Sequence, residues 1–285
     1  MSRLLQRANT VSRESNSHAQ RTRRGTVDSI QVQQDGHIGI ITLDNPKKLN
    51  ALSHALVTSL IQALHDFAER DVRVVILRAQ PGVKVWSAGH DVGELPEGRR
   101  DPLGWDDPLR NLVRSIESHP TPVIAMIEGT VWGGAVELVL ACDIIIAVPE
   151  STFAVTPARL GVPYNVSGMM TFMSASSLRI VKELAFTAAP VDAVRAERVG
   201  MINHVVALDE LEPFTLAMAT TIADNAPLSI RVMKEQLRVL AGAKPVSPRG
   251  FEKVQGLRRV VYDSHDYAEG IRAFKEKRRP AFLGR

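Results

Sequence analysis

An α/β fold is predicted for this chain: buried strands alternating with helices. Two observations carry the prediction. Short apolar, β-branched runs recur at 38–43, 72–77, 122–127 and 144–147, and the stretches between them place apolar residues at helical spacing. Two turns rich in small residues follow such runs, one at Ser87-Ala88-Gly89 and one at Gly133-Gly134.

The elements follow in order. Residues 1–25 hold six arginines against one acid, a net of +5, so with +4 on the whole chain the remaining 260 residues carry −1. The folded part is therefore not a basic protein. This tail, poor in apolar residues, is predicted to be disordered, and its scarcity of acids resembles an organelle transit peptide. It lacks the long apolar segment of a secretory leader. After the 38–43 strand, Asp44-Asn45-Pro46 marks a turn, and Ser53 is placed to cap a helix whose apolar positions are Leu56, Leu60, Ile61, Leu64 and Phe67. Strand 72–77 leads to a helix through Leu109, Leu112, Val113 and Ile116. Strand 122–127 leads through Gly133-Gly134 to a helix at 134–142, and strand 144–147 follows. The tail (1–25) and a core (26–207) are followed by a C-terminal region (208–285).

Composition removes several classes. No apolar run reaches membrane-spanning length, and the chain is read as a soluble, cytoplasmic protein, or an organelle-matrix protein if the tail is a transit peptide. The single cysteine, Cys142, rules out an internal disulfide framework and sits among Leu138, Val139, Leu140 and Ala141 as a small buried hydrophobe. The eight histidines form no HExxH pair, so no metal site is expected, and neither a P-loop, a dinucleotide fingerprint nor a nucleophile elbow is present.

The chemistry is expected at the two small-residue turns. Glycine lets the backbone turn sharply and lets a ligand reach the main chain, and amides at the start of a helix have no internal partner. Two such turns can each offer one N–H to one oxygen, the arrangement that stabilises a carbonyl oxygen as it becomes negative. The Ser-Ala-Gly-His-Asp segment (87–91), the Glu-Gly-x-x-x-Gly-Gly-x-x-Glu segment (128–137) and the ending 274–282 together resemble the crotonase (enoyl-CoA hydratase/isomerase) superfamily over roughly residues 26–285. The resemblance implies a spiral of repeated β-β-α units with C-terminal helices for trimerisation, here at 209–225, at 228–241 and from 248 onward, in a homotrimer or homohexamer acting on an acyl-CoA. Coenzyme A then enters as part of the substrate, with no metal, biotin, nucleic acid or membrane partner. It also implies that Lys48, Leu49 and Ala51, with Ala88, Gly89, His90, Asp91 and Val92, contact CoA, that Lys277 approaches its phosphates, and that His90 and Gly134 supply the two amides.

Hydratases of the superfamily handle water with two glutamates. Glu137 matches the first, and Pro157 stands where the second is expected. Half of an acid/base pair worth roughly a hundred- to ten-thousand-fold is therefore missing. Further strings, Thr-Pro-x-x-Leu-Gly-Val-Pro-Tyr-Asn (156–165) and Val-Tyr-Asp-Ser-x-Asp-Tyr (261–267) among them, resemble decarboxylating members. The implied reaction is an acyl-CoA lyase step, methylmalonyl-CoA to propionyl-CoA through a thioester enolate, with Tyr164 and Thr156 orienting the departing carboxylate. The final proton would come from Tyr164, Glu137 or water, and Arg159 is expected to point away from the pocket. The alternatives are an enoyl-CoA hydratase or isomerase, or a non-catalytic CoA- or RNA-binding relative.

Overall fold

Strands β1 (Arg23–Val27), β2 (Ile30–Asp35) and β3 (Ile38–Leu43) form an antiparallel meander in the computed structural model, which describes residues 23–27, 29–96, 101, 103–241 and 248–283. Residues 1–22, most of the predicted tail, lie outside the described residues, whereas Arg23, Arg24 and Gly25 belong to β1. Helix α1 (His54–Ala68) then carries the chain to β4 (Val74–Ala79), parallel to β3.

From there one unit recurs. Strand β4 continues into β5 (Val85–Ser87) and α2 (Pro108–Glu117). Strand β6 (Val123–Ile127) continues into β7 (Thr130–Trp132) and α3 (Gly134–Leu140), and β8 (Ile144–Ala147) into β9 (Thr152–Ala154) and α4 (Val166–Ala175). Helix α5 (Leu178–Thr187), β10 (Val191–Asp192), α6 (Ala193–Arg198) and β11 (His204–Val205) complete the core. The first strand of each unit joins one sheet, ordered β1-β2-β3-β4-β6-β8-β11. The second joins another, ordered β10-β9-β7-β5. Stepping between two sheets at every repeat winds the chain into the β-β-α spiral.

Each element has a local cause. Ser53 Oγ accepts from the Leu56 amide and so caps α1, whose Leu56, Leu60, Leu64 and Phe67 are buried at helical spacing. Gly39 in β3 leaves room for the Phe67 ring, since a methyl there would lie 2.7 Å from Cε2. Asp107 caps α2, with Pro108 at its first position. Between the sheets, Val75, Leu77, Ala125, Ile127, Trp86, Val131 and Phe153 meet α1, α2 and α3 in the main core. On the far face of the large sheet, Val74, Ile76, Ile124, Met126 and Ile146 pack against Leu211, Ala219 and Ala223 of α7 (Leu208–Asp224).

Helices α8 (Pro227–Ala241), α9 (Pro248–Tyr262) and α10 (His265–Lys275) follow. Tyr262, Tyr267 and Ile271 pack on Leu103 and Val162, which sets α9 and α10 beside the turn that bears Tyr164. Cys142 is buried and burial pushes its thiol up, in keeping with an inert core residue. No described helix is long and apolar enough to cross a membrane.

Candidate active site

The two small-residue turns meet. Asn50, fully buried, braces the first: its side-chain amide donates to the Trp86 carbonyl at 3.0 Å, its own carbonyl accepts from Ser87 Oγ at 2.7 Å, and Ala88 N donates to the Leu49 carbonyl at 3.0 Å. The stretch that carries Lys48, Leu49 and Ala51 is thereby tied to the stretch 86–92. Gly89 has φ +84°, and a methyl placed on it would lie 2.5 Å from the Trp132 carbonyl oxygen and 2.8 Å from Gly134 N. Gly133 has φ +57° and opens directly into α3. Only glycine suits both positions, because one is in contact with main chain and the other is in a region side chains avoid. Among the described residues, neither the His90 amide nor the Gly134 amide donates to a protein acceptor.

A cavity of about 660 Å³ opens over these turns. Of the predicted residues, Lys48, Leu49, Ala51, Ala88, His90, Asp91, Val92, Gly134, Thr156 and Tyr164 line it. Gly89 lies behind the wall as the spacer between the turns. Lys277 is solvent-exposed and does not line the cavity; Phe274, in the last turn of α10, does. Pro157 also lines it, at the place expected of a second glutamate. Arg159 corrects the expectation that it points away. It stands in the wall, exposed, with its guanidinium 6.0 Å from the centre of the Trp132 ring. Among the described residues no group of three or more His, Cys, Asp and Glu is placed to hold a metal.

Glu137 is the second departure. It is buried behind the cavity, with one carboxylate oxygen paired to Arg110 Nη1 and the other accepting from the Tyr164 hydroxyl at 2.7 Å. With both oxygens engaged, it is not free to act as a base on a ligand. Burial first, then the Glu137 charge, push the Tyr164 phenol well above its ordinary value, so it is a reluctant acid. Its ring is held edge-on to Phe172 at 5.2 Å and lies over Gly168, where a methyl would come within 2.3 Å of Cε1. The Thr156 hydroxyl, by contrast, has no protein partner among the described residues.

His90 Nε2 lies 3.1 Å from Asp107 Oδ1, while Asp107 Oδ2 accepts from the Arg110 amide at 3.1 Å. One buried carboxylate thus fixes the imidazole and also seats the turn of α2 that carries Arg110. The residue patterns had not pointed to Arg110 or Asp107 as parts of the site. Both lie in the string Asp-Pro-Leu-x-x-Asp-Asp-Pro-Leu-Arg (101–110), which shares in the resemblance to decarboxylating members without assigning either residue a role.

The chain belongs to the enoyl-CoA hydratase/isomerase family of the crotonase superfamily, whose profile matches residues 33–285. Within it, the chain is 52% identical over 247 residues to methylmalonyl-CoA decarboxylase of Escherichia coli (strain K12), covering 87% of this chain and 95% of that protein. A putative enoyl-CoA hydratase of Thermus thermophilus is 31% identical over 260 residues, 89% of this chain and all of that one. Among solved structures, methylmalonyl-CoA decarboxylase complexed with 2S-carboxypropyl-CoA superposes with a TM-score of 0.90 at 50% identity, covering 92% of this chain and 100% of that one. The same enzyme in complex with 2-nitronate-propionyl-CoA gives 0.89 at 50% identity, covering 90% and 99%.

Proposed function

We propose that this protein is an acyl-CoA carboxy-lyase that converts methylmalonyl-CoA to propionyl-CoA. The observation that carries the reading is the state of Glu137. The one residue that matches a hydratase acid is engaged by Arg110 and Tyr164, and proline occupies the second position; among the described residues the one carboxylate in the cavity wall is Asp91, which accepts from the Gly93 amide at 3.0 Å and stands 3.9 Å from Lys48 Nζ. Similarity to a decarboxylase at 52% identity supports the same conclusion.

The reaction asks little else. The bond between the α-carbon and the carboxylate breaks, carbon dioxide leaves, and the electron pair passes into the thioester as an enolate. The His90 and Gly134 amides bind that oxygen, with donors fixed before charge develops. Thr156, a neutral donor, orients the carboxylate without the tight ground-state hold that a buried cation would impose. Water supplies the final proton to the α-carbon, because the Tyr164 proton is directed at Glu137 and Glu137 is held by Arg110. Lys48, Leu49, Ala51 and the 88–92 segment take the CoA moiety, and two exposed cations, Arg159 in the cavity wall and Lys277 outside it, take its phosphates. The assembly read from the family is a trimer or hexamer built on the C-terminal helices, working in the cytoplasm.

The test is incubation with methylmalonyl-CoA, malonyl-CoA and crotonyl-CoA in turn, following carbon dioxide release and hydration separately. Release from methylmalonyl-CoA is expected. Consumption of crotonyl-CoA alone would make the protein a hydratase.

A further inference from the structure

Arg110 does not line the cavity, and its side chain is buried with Nε unpartnered. Its partner Glu137 receives the Tyr164 proton. A phenol has one proton, so while Glu137 takes it, Tyr164 can present the cavity only with an oxygen that accepts. Taking the decarboxylase reading as given, we propose that Arg110 is a positioning residue for carbon dioxide loss, holding the Glu137 carboxylate so that the Tyr164 proton is turned away from the substrate.

The gain is in the barrier. A phenol proton aimed at the substrate carboxylate would bind the ground state through a hydrogen bond that vanishes as carbon dioxide departs, and binding lost in the transition state slows the step. Three features fix the arrangement. The Asp107 carboxylate seats the first turn of α2 beneath Arg110; Gly168 and Phe172 hold the Tyr164 ring; and the Glu137 side chain is only 2% exposed, so it has no water to turn to. The other charged or titratable groups on this network are Asp107, which acts on Tyr164, His90, whose Nε2 lies 3.1 Å from Asp107 Oδ1, and Glu117 of α2, which feels both Arg110 and Glu137 as well as Arg238 of α8.

Removing the cation exposes the dependence. In Arg110→Met the buried Glu137 has no counter-charge and takes up a proton more readily. Protonated, it donates to the phenol oxygen, which frees the Tyr164 proton to bind the substrate carboxylate. The sign follows: as pH falls, kcat of the variant drops and KM drops with it, and both recover as pH rises and Glu137 ionises.

The experiment is steady-state release of carbon dioxide from methylmalonyl-CoA, from about pH 5.5 to pH 9, for the wild type, Arg110→Met, Arg110→Lys and the double variant Arg110→Met/Glu137→Gln. Arg110→Met should show an ionisation in kcat that the wild type lacks, with a loss of roughly 10- to 100-fold at the acid end, the size expected when one reacting group is misaligned. Arg110→Lys keeps the charge and should keep the wild-type profile, and the double variant should lose the new ionisation. Arg110→Gln carries the same expectation as Met if the Met variant fails to fold. A profile for either neutral variant that parallels the wild type overturns the proposal. So does a step that survives in the double variant, which would belong to Glu117 or to His90. A wild type that releases no carbon dioxide from methylmalonyl-CoA instead defeats the decarboxylase reading, and this inference with it.

Discussion

Gly89→Ala is the most discriminating single change, because one methyl tests whether the two amides work as a pair. The added carbon would lie 2.5 Å from the Trp132 carbonyl oxygen and 2.8 Å from Gly134 N, the first about 0.9 Å short of ordinary van der Waals contact. Both neighbours are main chain in the turn that supplies the second donor, so relief must come from parting the turns. A φ of +84° adds strain of about 1–2 kcal/mol for a residue with a Cβ. A shift near 1 Å at a reacting oxygen costs about a hundredfold, and loss of one such donor costs about 10²- to 10³-fold in kcat. The expected result is therefore a kcat for methylmalonyl-CoA reduced by at least about a hundredfold. CoA affinity, measured by calorimetry, should fall by no more than about tenfold, less than kcat, because Lys48, Leu49 and Ala51 still line the cavity although the 88–92 segment tied to them shifts. A folded Gly89→Ala protein with kcat within about threefold of wild type would refute the claim that these amides act together.

Other expectations follow from the same geometry. Arg159→Met should raise KM by about three- to tenfold with kcat unchanged, as loss of an exposed phosphate contact at the mouth requires; a rise in kcat would instead mean that the guanidinium grips the substrate carboxylate. Gly168→Ala pushes a methyl to 2.3 Å from the Tyr164 ring, and should lower urea stability by about 1–3 kcal/mol and reduce kcat while leaving CoA binding intact. His119 is buried between the Leu64 carbonyl and Thr121, and burial lowers it below its ordinary value of 6.5. The unfolded chain therefore binds a proton there first, so stability should fall as pH drops below about 6.5, by at most about 1.4 kcal/mol per pH unit for this one group. Urea midpoints of His119→Gln should be flatter with pH across that range, and equal slopes would contradict the assignment.

Much of the spiral is legible in the sequence, and the reasons are physical. The strands 38–43, 122–127 and 144–147 are apolar runs buried on both faces, and α1 and α2 carry clean helical stripes behind side-chain caps. The second strand of each unit is not legible, since β5, β7 and β9 are three residues each, too short to show a period. Helix α4 also escapes, because Gly168, Ser167 and Ser174 blur its pattern. At the site, the glycines mark the two turns because close backbone approach leaves few alternatives. The role of Glu137 is different. Its partners Arg110 and Tyr164 each lie 27 residues away in sequence, and nothing local indicates that its carboxylate is taken. Lys277 is assigned to the CoA phosphates by family resemblance alone, since its charge run by itself reads as a solvated face; the chain turns at φ +53° there, and Phe274 rather than Lys277 lines the cavity.

The central claim is that the His90 and Gly134 amides are set for an enolate oxygen rather than a ground-state carbonyl. Comparing the dissociation constants of propionyl-CoA and its nitronate analogue, which carries the enolate's negative charge, tests this directly. Charge held at fixed donors predicts binding at least about a hundredfold tighter for the nitronate, with the preference lost in Gly89→Ala. Equal affinity for the two ligands would contradict it.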